Sequence, residues 1–168
     1  MAPGISLASH GVTRVHFLDW APNLHAVVVH LPIGLLATAA GADLLAILRR
    51  ETGTAYVLST CLQVAGTIML VAAYLTGRKA AADVYTPGLA QAVVTLHWDQ
   101  AWWCVWYFGL ATASRITVWV TLGQPRRQLV ILLALISLGG LWLLTDVGEY
   151  GAQLVYTHGT GVVAPSGR

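Results

Sequence analysis

Residues 26–48 read AVVVHLPIGLLATAAGADLLAIL, twenty-three positions interrupted by a single charge, Asp43. At 1.5 Å of rise per residue such a run is long enough, as a helix, to cross a hydrocarbon layer about 30 Å thick. Three further runs of similar character follow at 56–76, 98–122 and 129–145, the last continuing toward Tyr156. Of the 168 residues, 57% are hydrophobic and only 10% charged, and mean hydropathy is +0.68. Globular chains carry roughly 25% charged residues, so this chain lacks the polar surface to cover a core in water. The reading is all-α: an integral membrane antiparallel four-helix bundle, with four transmembrane helices and both termini outside. Residues 1–22 and 159–168 are extramembrane tails, and residues 23–158 form the transmembrane domain.

The punctuation agrees with four spans. Pro22 sits where a helix start tolerates it, Arg49-Arg50-Glu51-Thr52-Gly53 ends the first span, Gly77 closes the second, and Gly123 to Arg127 is a short turn. Short connections make neighbouring helices antiparallel. The longer link 77–97 holds Asp83, Pro87 and Gly88, and its segment 89–96 is expected as a short helix lying on the membrane. Lys and Arg near span ends mark the cytoplasmic side. Arg49, Arg50, Arg126 and Arg127, with Arg115 nearby, outnumber Arg14, Arg78, Lys79 and Arg168 on the other side. That places all six histidines outside, in a periplasmic or equivalent compartment of a bacterial inner membrane protein. Trp98, Trp102, Trp103 and Tyr107 fit an aromatic belt there.

Several classes drop out. A net charge of +2 without a dense basic run argues against a nucleic-acid partner. No Cys-x-x-Cys-His occurs, which argues against covalently attached c-type haem. Cys61 and Cys104 read as small helix hydrophobes near opposite faces. The first 25 residues lack the basic-then-apolar order of a cleaved signal peptide, so the first run is expected to be retained. No nucleophile–base pair, P-loop or dinucleotide fingerprint is present, and the protein is not expected to be an enzyme by itself.

What carries chemistry is a set of four histidines. His25, His30, His97 and His158 all lie near ends of runs that threading brings to one side. Imidazole suits iron, copper, zinc and nickel, and two imidazoles on facing helices are what a six-coordinate haem b needs. Counting outward from Arg50 and Arg115 puts His30 and His97 at one depth, so they are the expected axial pair. His25 and His158 form a second pair or orient the first, and a mixed pairing such as His30 with His158 is the alternative. Gly34, Ala37 and Gly41 share the helical face of His30, and Ala101, Cys104 and Phe108 that of His97. Small residues below a ligand leave a slot for a flat macrocycle, although close helix packing favours the same residues. Arg14, Arg78 and Lys79 are candidates to pair with haem propionates. Trp102 and Trp106 either line the pocket or anchor the interface, and Tyr156 is placed to hydrogen-bond a ligand. His10 and His16 are assigned no role. Asp43 and Arg115 match in depth toward the other side and are expected to pair, since a lone charge in a membrane is costly.

Two stretches resemble a known family. Asn23-Leu24-His25-Ala26-Val27-Val28-Val29-His30-Leu31-Pro32-Ile33 is similar to the HPxxVHFPI opening of a bacterial membrane family known as domain-of-unknown-function family 2231. Gly151-Ala152-Gln153-Leu154-Val155-Tyr156-Thr157-His158-Gly159-Thr160-Gly161-Val162 is similar to its GGxLVYxHGxGV ending. Asp43, Gly66, Gly77 and His97 also fall where that family has such residues. Asn23-Leu24, where the family often has a His-Pro pair, and Ala152, in place of the second glycine, depart from the pattern, and neither touches a histidine carried over. The resemblance implies a four-span fold with recurring histidines, and relatives joined to Rieske or cytochrome c-like modules lean it toward electron transfer.

The expectation is therefore a haem b-binding membrane subunit, with one or two haems, passing electrons at the periplasmic side of a respiratory or related complex. Its expected partners are the lipid bilayer, other membrane subunits, a periplasmic cytochrome or iron–sulfur protein, and quinol. The alternatives are a copper or zinc site held by the four histidines, and a cofactor-free structural or assembly subunit.

Overall fold

The computed structural model describes residues 24–50, 53–84, 86–123 and 125–161. Among these the chain is all-helical: α1 (His25–Val28), α2 (His30–Arg49), α3 (Thr54–Asp83), a 3-10 turn (Gly88–Ala90), α4 (Gln91–Leu122) and α5 (Arg127–Tyr156). The junction of α1 and α2 is Val29, whose backbone stays in the right-handed helical region, and Pro32, three residues on, has no N–H to offer the carbonyl of Val28. Three stretches, His25–Arg49, Thr54–Asp83 and Arg127–Tyr156, are long and apolar enough to cross a membrane. Helix α4 is as long, but it carries Arg115 and the tryptophans 98, 102, 103, 106 and 119, which lower its hydropathy.

Two expectations about the link after the second run need correction. Gly77 does not close α3, which runs on to Asp83, and residues 89–96 are not a separate surface helix. After the turn at Gly88–Ala90 the chain enters α4 at Gln91 without interruption. Both helices therefore project beyond the ends expected from hydropathy. Nothing in a glycine stops a helix when its neighbours propagate it, and tertiary packing outweighs a cost of about 1 kcal/mol.

Each long helix packs on two others in the ring α2, α3, α4, α5. Three layers fill the interior. At the Arg49 end lie Tyr56, Val130 and Leu133. A polar layer comes next, and above it an apolar band of Leu36, Leu70, Cys104, Phe108 and Leu144. Glycines admit the bulky members of that band: a Cβ on Gly66 would fall 2.7 Å from Leu36 Cγ, and one on Gly140 2.6 Å from Phe108 Cζ. Here the helices approach by removing side chain, as in other membrane bundles.

The polar layer ties all four long helices together. Asp43 of α2 is paired with Arg115 of α4, and the two residues are 0% and 1% exposed. Arg115 Nη1 donates to Asp43 Oδ1 and to Ser59 Oγ of α3, each at 3.1 Å, and Nη2 donates to Ser137 Oγ of α5 at 3.1 Å. Ser137 Oγ lies 2.8 Å from Gln63 Oε1, and Tyr56 Oη donates to the Arg115 carbonyl at 3.0 Å. The expected ion pair is made. The hydroxyl and amide shell around it was not foreseen, yet it is what makes two buried charges tolerable.

The two hairpins, α1–α3 and α4–α5, repeat one another. Asp43 and Arg115 stand 72 residues apart, and Gln63 and Ser137 stand 74 apart. The first shift also superposes Leu36 on Phe108, and the second superposes Gly66 on Gly140 and Leu70 on Leu144. In both hairpins the larger residue presses into the matching glycine. Residues that touch their own equivalents mark a twofold relation. Its pseudo-axis runs along the bundle, as in parallel-repeat membrane folds.

Candidate functional site

At the end opposite Arg49, above the apolar band, the bundle opens into a cavity of about 530 Å³. Its volume lies in the range of small-molecule and cofactor sites. His25, His30, His97 and Cys104 line it, together with Leu70, Ala101 and Leu144. The walls are mostly apolar, with Arg78, Tyr74, Trp98 and Tyr156 toward the rim.

Two histidines meet across this cavity, and they are His25 and His97. Their ring centres lie 6.4 Å apart with planes at 78°. Each is held the same way. His25 Nδ1 lies 2.9 Å from the carbonyl of Ala73, and His97 Nδ1 lies 3.0 Å from that of Val147. A carbonyl only accepts, so in both rings Nδ1 carries the proton. Nε2 is then left with a lone pair. One turn beyond each carbonyl is a glycine. A Cβ on Gly77 would lie 2.9 Å from His25 Cε1, and one on Gly151 3.4 Å from His97 Cε1. Gly77 thus serves as the seat of a ring, not as a helix stop. His25 and His97 are themselves 72 residues apart, and their carbonyls and glycines 74 apart, so the pair lies on the pseudo-axis.

Nδ1–H bound to a backbone carbonyl is the arrangement that fixes an imidazole for metal ligation through Nε2. A metal–imidazole bond is about 2.0 Å, and the ring nitrogen lies about 1.1 Å from the ring centre. Two rings on opposite sides of one ion therefore stand with centres about 6.2 Å apart. The observed separation matches that gap. Among the described residues, no three His, Cys, Asp or Glu side chains are grouped to hold a metal. The pair can supply two nitrogens, and a metal here would take its remaining ligands from something other than these side chains.

The other expected site residues fall in different places. The expected pairing of His30 with His97 is not the one the helices make. His30 also lines the cavity but is exposed, since five residues of helix turn it well away from His25. Gly34, Ala37 and Gly41, on its face, are exposed too, and a Cβ at Gly34 or Gly41 would meet nothing within 4 Å. On the His97 side the column does face inward: Ala101 and Cys104 line the cavity, and Phe108 is buried below. His158 is half-buried just past α5, with its N–H on the Gln153 carbonyl, and does not line the cavity. Depth along a helix was readable in the sequence, but which way each face turned was not.

Arg78 lines the rim with its guanidinium carbon 5.2 Å from the centre of the Trp98 ring. Trp98 Nε1 in turn donates to Tyr74 Oη at 2.8 Å. Lys79 is exposed and off the cavity, while Arg14, His10 and His16 lie outside the described residues. Trp102 and Trp106 stack edge to face on the outside of α4 and do not line the cavity, as interface anchors would. Sequence reading missed the Ala73 and Val147 carbonyls and the seating glycines. The signal was available: His25 precedes Asp43 by the same eighteen residues as His97 precedes Arg115. Equal spacing of matched residues is how an internal repeat shows itself along a chain.

A family described as predicted membrane proteins, DUF2231, matches residues 21–164. No curated protein and no solved structure matches the chain.

Proposed function

The chain belongs to the DUF2231 family of predicted membrane proteins, and from that premise we propose that it is a b-type haem-binding subunit for electron transfer. In this reading all four long helices span the bilayer. The histidine end and both termini lie on the periplasmic side of a bacterial inner membrane, since Arg49, Arg50, Arg126 and Arg127 gather at the other end. His25 and His97 would hold the group through their imidazole nitrogens. The observation that carries the proposal is the His25–His97 gap, 6.4 Å between ring centres with both Nδ1 atoms committed to carbonyls.

The protein supplies two ligand nitrogens and, among the described residues, no third group to complete a bare copper or zinc site. A planar macrocycle brings its own four equatorial nitrogens, so two protein ligands suffice. The haem supplies a one-electron redox centre when bound. With His25 and His97 both holding the group, it would serve electron transfer rather than catalysis on a bound molecule. The remaining work falls to the chain. The carbonyls of Ala73 and Val147 fix the tautomer and raise the basicity of each ring. Leu70, Cys104 and Leu144 close the floor and keep water out. An electron partner, either quinol in the bilayer or a periplasmic redox protein, approaches from the rim.

The test is the visible spectrum of the protein purified from membranes of cells making haem. Sharp reduced-minus-oxidised α and Soret bands are expected, at one haem per chain, and are lost in His25→Ala and in His97→Ala. A colourless, folded protein that takes up no added haem overturns the proposal.

A further inference from the structure

Below the rim the cavity is near-symmetric, but at the rim the symmetry fails. Arg78 on α3 corresponds, 74 residues on, to Ala152 on α5, and Tyr74 corresponds to Gly148. All four line the cavity. One side of the mouth thus carries a guanidinium steadied on Trp98, whose indole N–H is held by Tyr74. The other side presents a methyl group and a glycine.

A twofold pair of ligands cannot by itself tell one edge of a planar macrocycle from the other. The charge and the bulk at the mouth can. Arginine binds carboxylates through charge-assisted, often bidentate hydrogen bonds. An edge without acid groups fits against small apolar residues instead.

We propose that Arg78 fixes the orientation of the molecule held between His25 and His97 by binding a carboxylate on one edge, while Gly148 and Ala152 receive the uncharged edge. The inference rests on the haem reading and adds to it a recognition element. The ligand class is a tetrapyrrole with acidic groups on one side, bound in a single orientation, and Arg78 is a specificity-determining residue. Tyr74 and Trp98 act through it as positioning residues.

The experiment uses the full chain in nanodiscs, titrated with haem b and with haem b dimethyl ester, whose propionates are blocked. Wild type should prefer free haem by about tenfold, the worth of one charge-assisted hydrogen bond. Arg78→Gln should abolish that preference by weakening haem while leaving the ester unchanged. NMR of the haem methyl groups should then show two orientations instead of one. Adding Ala152→Arg to Arg78→Gln moves the cation to the equivalent position and should restore the preference with the opposite orientation. If Arg78→Gln keeps the preference and the single orientation while His25→Ala and His97→Ala lose haem, the inference fails and the haem reading stands. If wild type binds neither compound, or the histidine variants bind as wild type does, the haem reading itself fails and the inference falls with it.

Discussion

The ring of His25 rests on Gly77 so closely that a Cβ there would lie 2.9 Å from Cε1 and 3.1 Å from Nδ1. The contact ties a residue at the start of the first hairpin to the far end of its second helix, and it sets where the ring can sit. Its counterpart, Gly151 against His97, leaves 3.4 Å.

That difference gives an asymmetric prediction. Gly77→Ala must push the imidazole off the Ala73 carbonyl, so haem retention should fall by about tenfold, equivalent to one lost orienting hydrogen bond of about 1.4 kcal/mol. Gly151→Ala meets ordinary van der Waals contact and should change retention less than threefold. Titrating haem into both purified variants checks this. Equal losses in the two, or none in either, would contradict the seating role.

The exposed histidine offers a sharper contrast with depth-based reading. His30→Ala should leave the visible spectrum and haem stoichiometry as in wild type, and His158→Ala likewise, whereas His25→Ala removes the bands. Loss of haem in His30→Ala with retention in His25→Ala would restore the pairing expected from the sequence and discard the one drawn from the helices.

The ion pair should behave as a unit. Removing one partner leaves a buried, uncompensated charge, so Asp43→Ala or Arg115→Ala should each cost about 3–5 kcal/mol. Asp43→Leu with Arg115→Leu should cost less than either single change. Because the two positions are pseudo-equivalent, the exchange Asp43→Arg with Arg115→Asp should be more stable than either reversal alone. Denaturant titration in mixed micelles reads all of these variants. A double leucine variant worse than both single ones would mean the layer is more than a matched pair.

Packing at the apolar band has its own signature. Gly140→Ala would place a methyl group 2.6 Å from Phe108 Cζ, and overpacking of this kind costs about 1–3 kcal/mol. Phe108→Leu, which makes the second hairpin like the first, should recover most of the loss. Thermal unfolding followed by circular dichroism would measure both, and a Gly140→Ala protein as stable as wild type would refute the contact.

Orientation is tested separately. A reporter fused after Arg168 should be active only outside the cytoplasm, and one inserted at Gln124 only inside. The reverse pattern would invert the membrane arrangement without touching the site.

The sequence by itself determined the class of protein, the approximate position of the long helices, and the pairing of Asp43 with Arg115. Those follow from composition, from run length against bilayer thickness and from the cost of an unpaired charge, all one-dimensional quantities. It also held the internal repeat, in the shared eighteen-residue spacing of His25–Asp43 and His97–Arg115. Which histidine meets His97 was decided only by the tertiary structure. His25 and His30 differ by five residues, which on a helix of 3.6 residues per turn sets them about 140° apart. Packing on α3 then turns His25 inward onto Ala73 and Gly77 and leaves His30 exposed. Depth is read by counting along one helix, but facing needs the neighbour that the helix packs against.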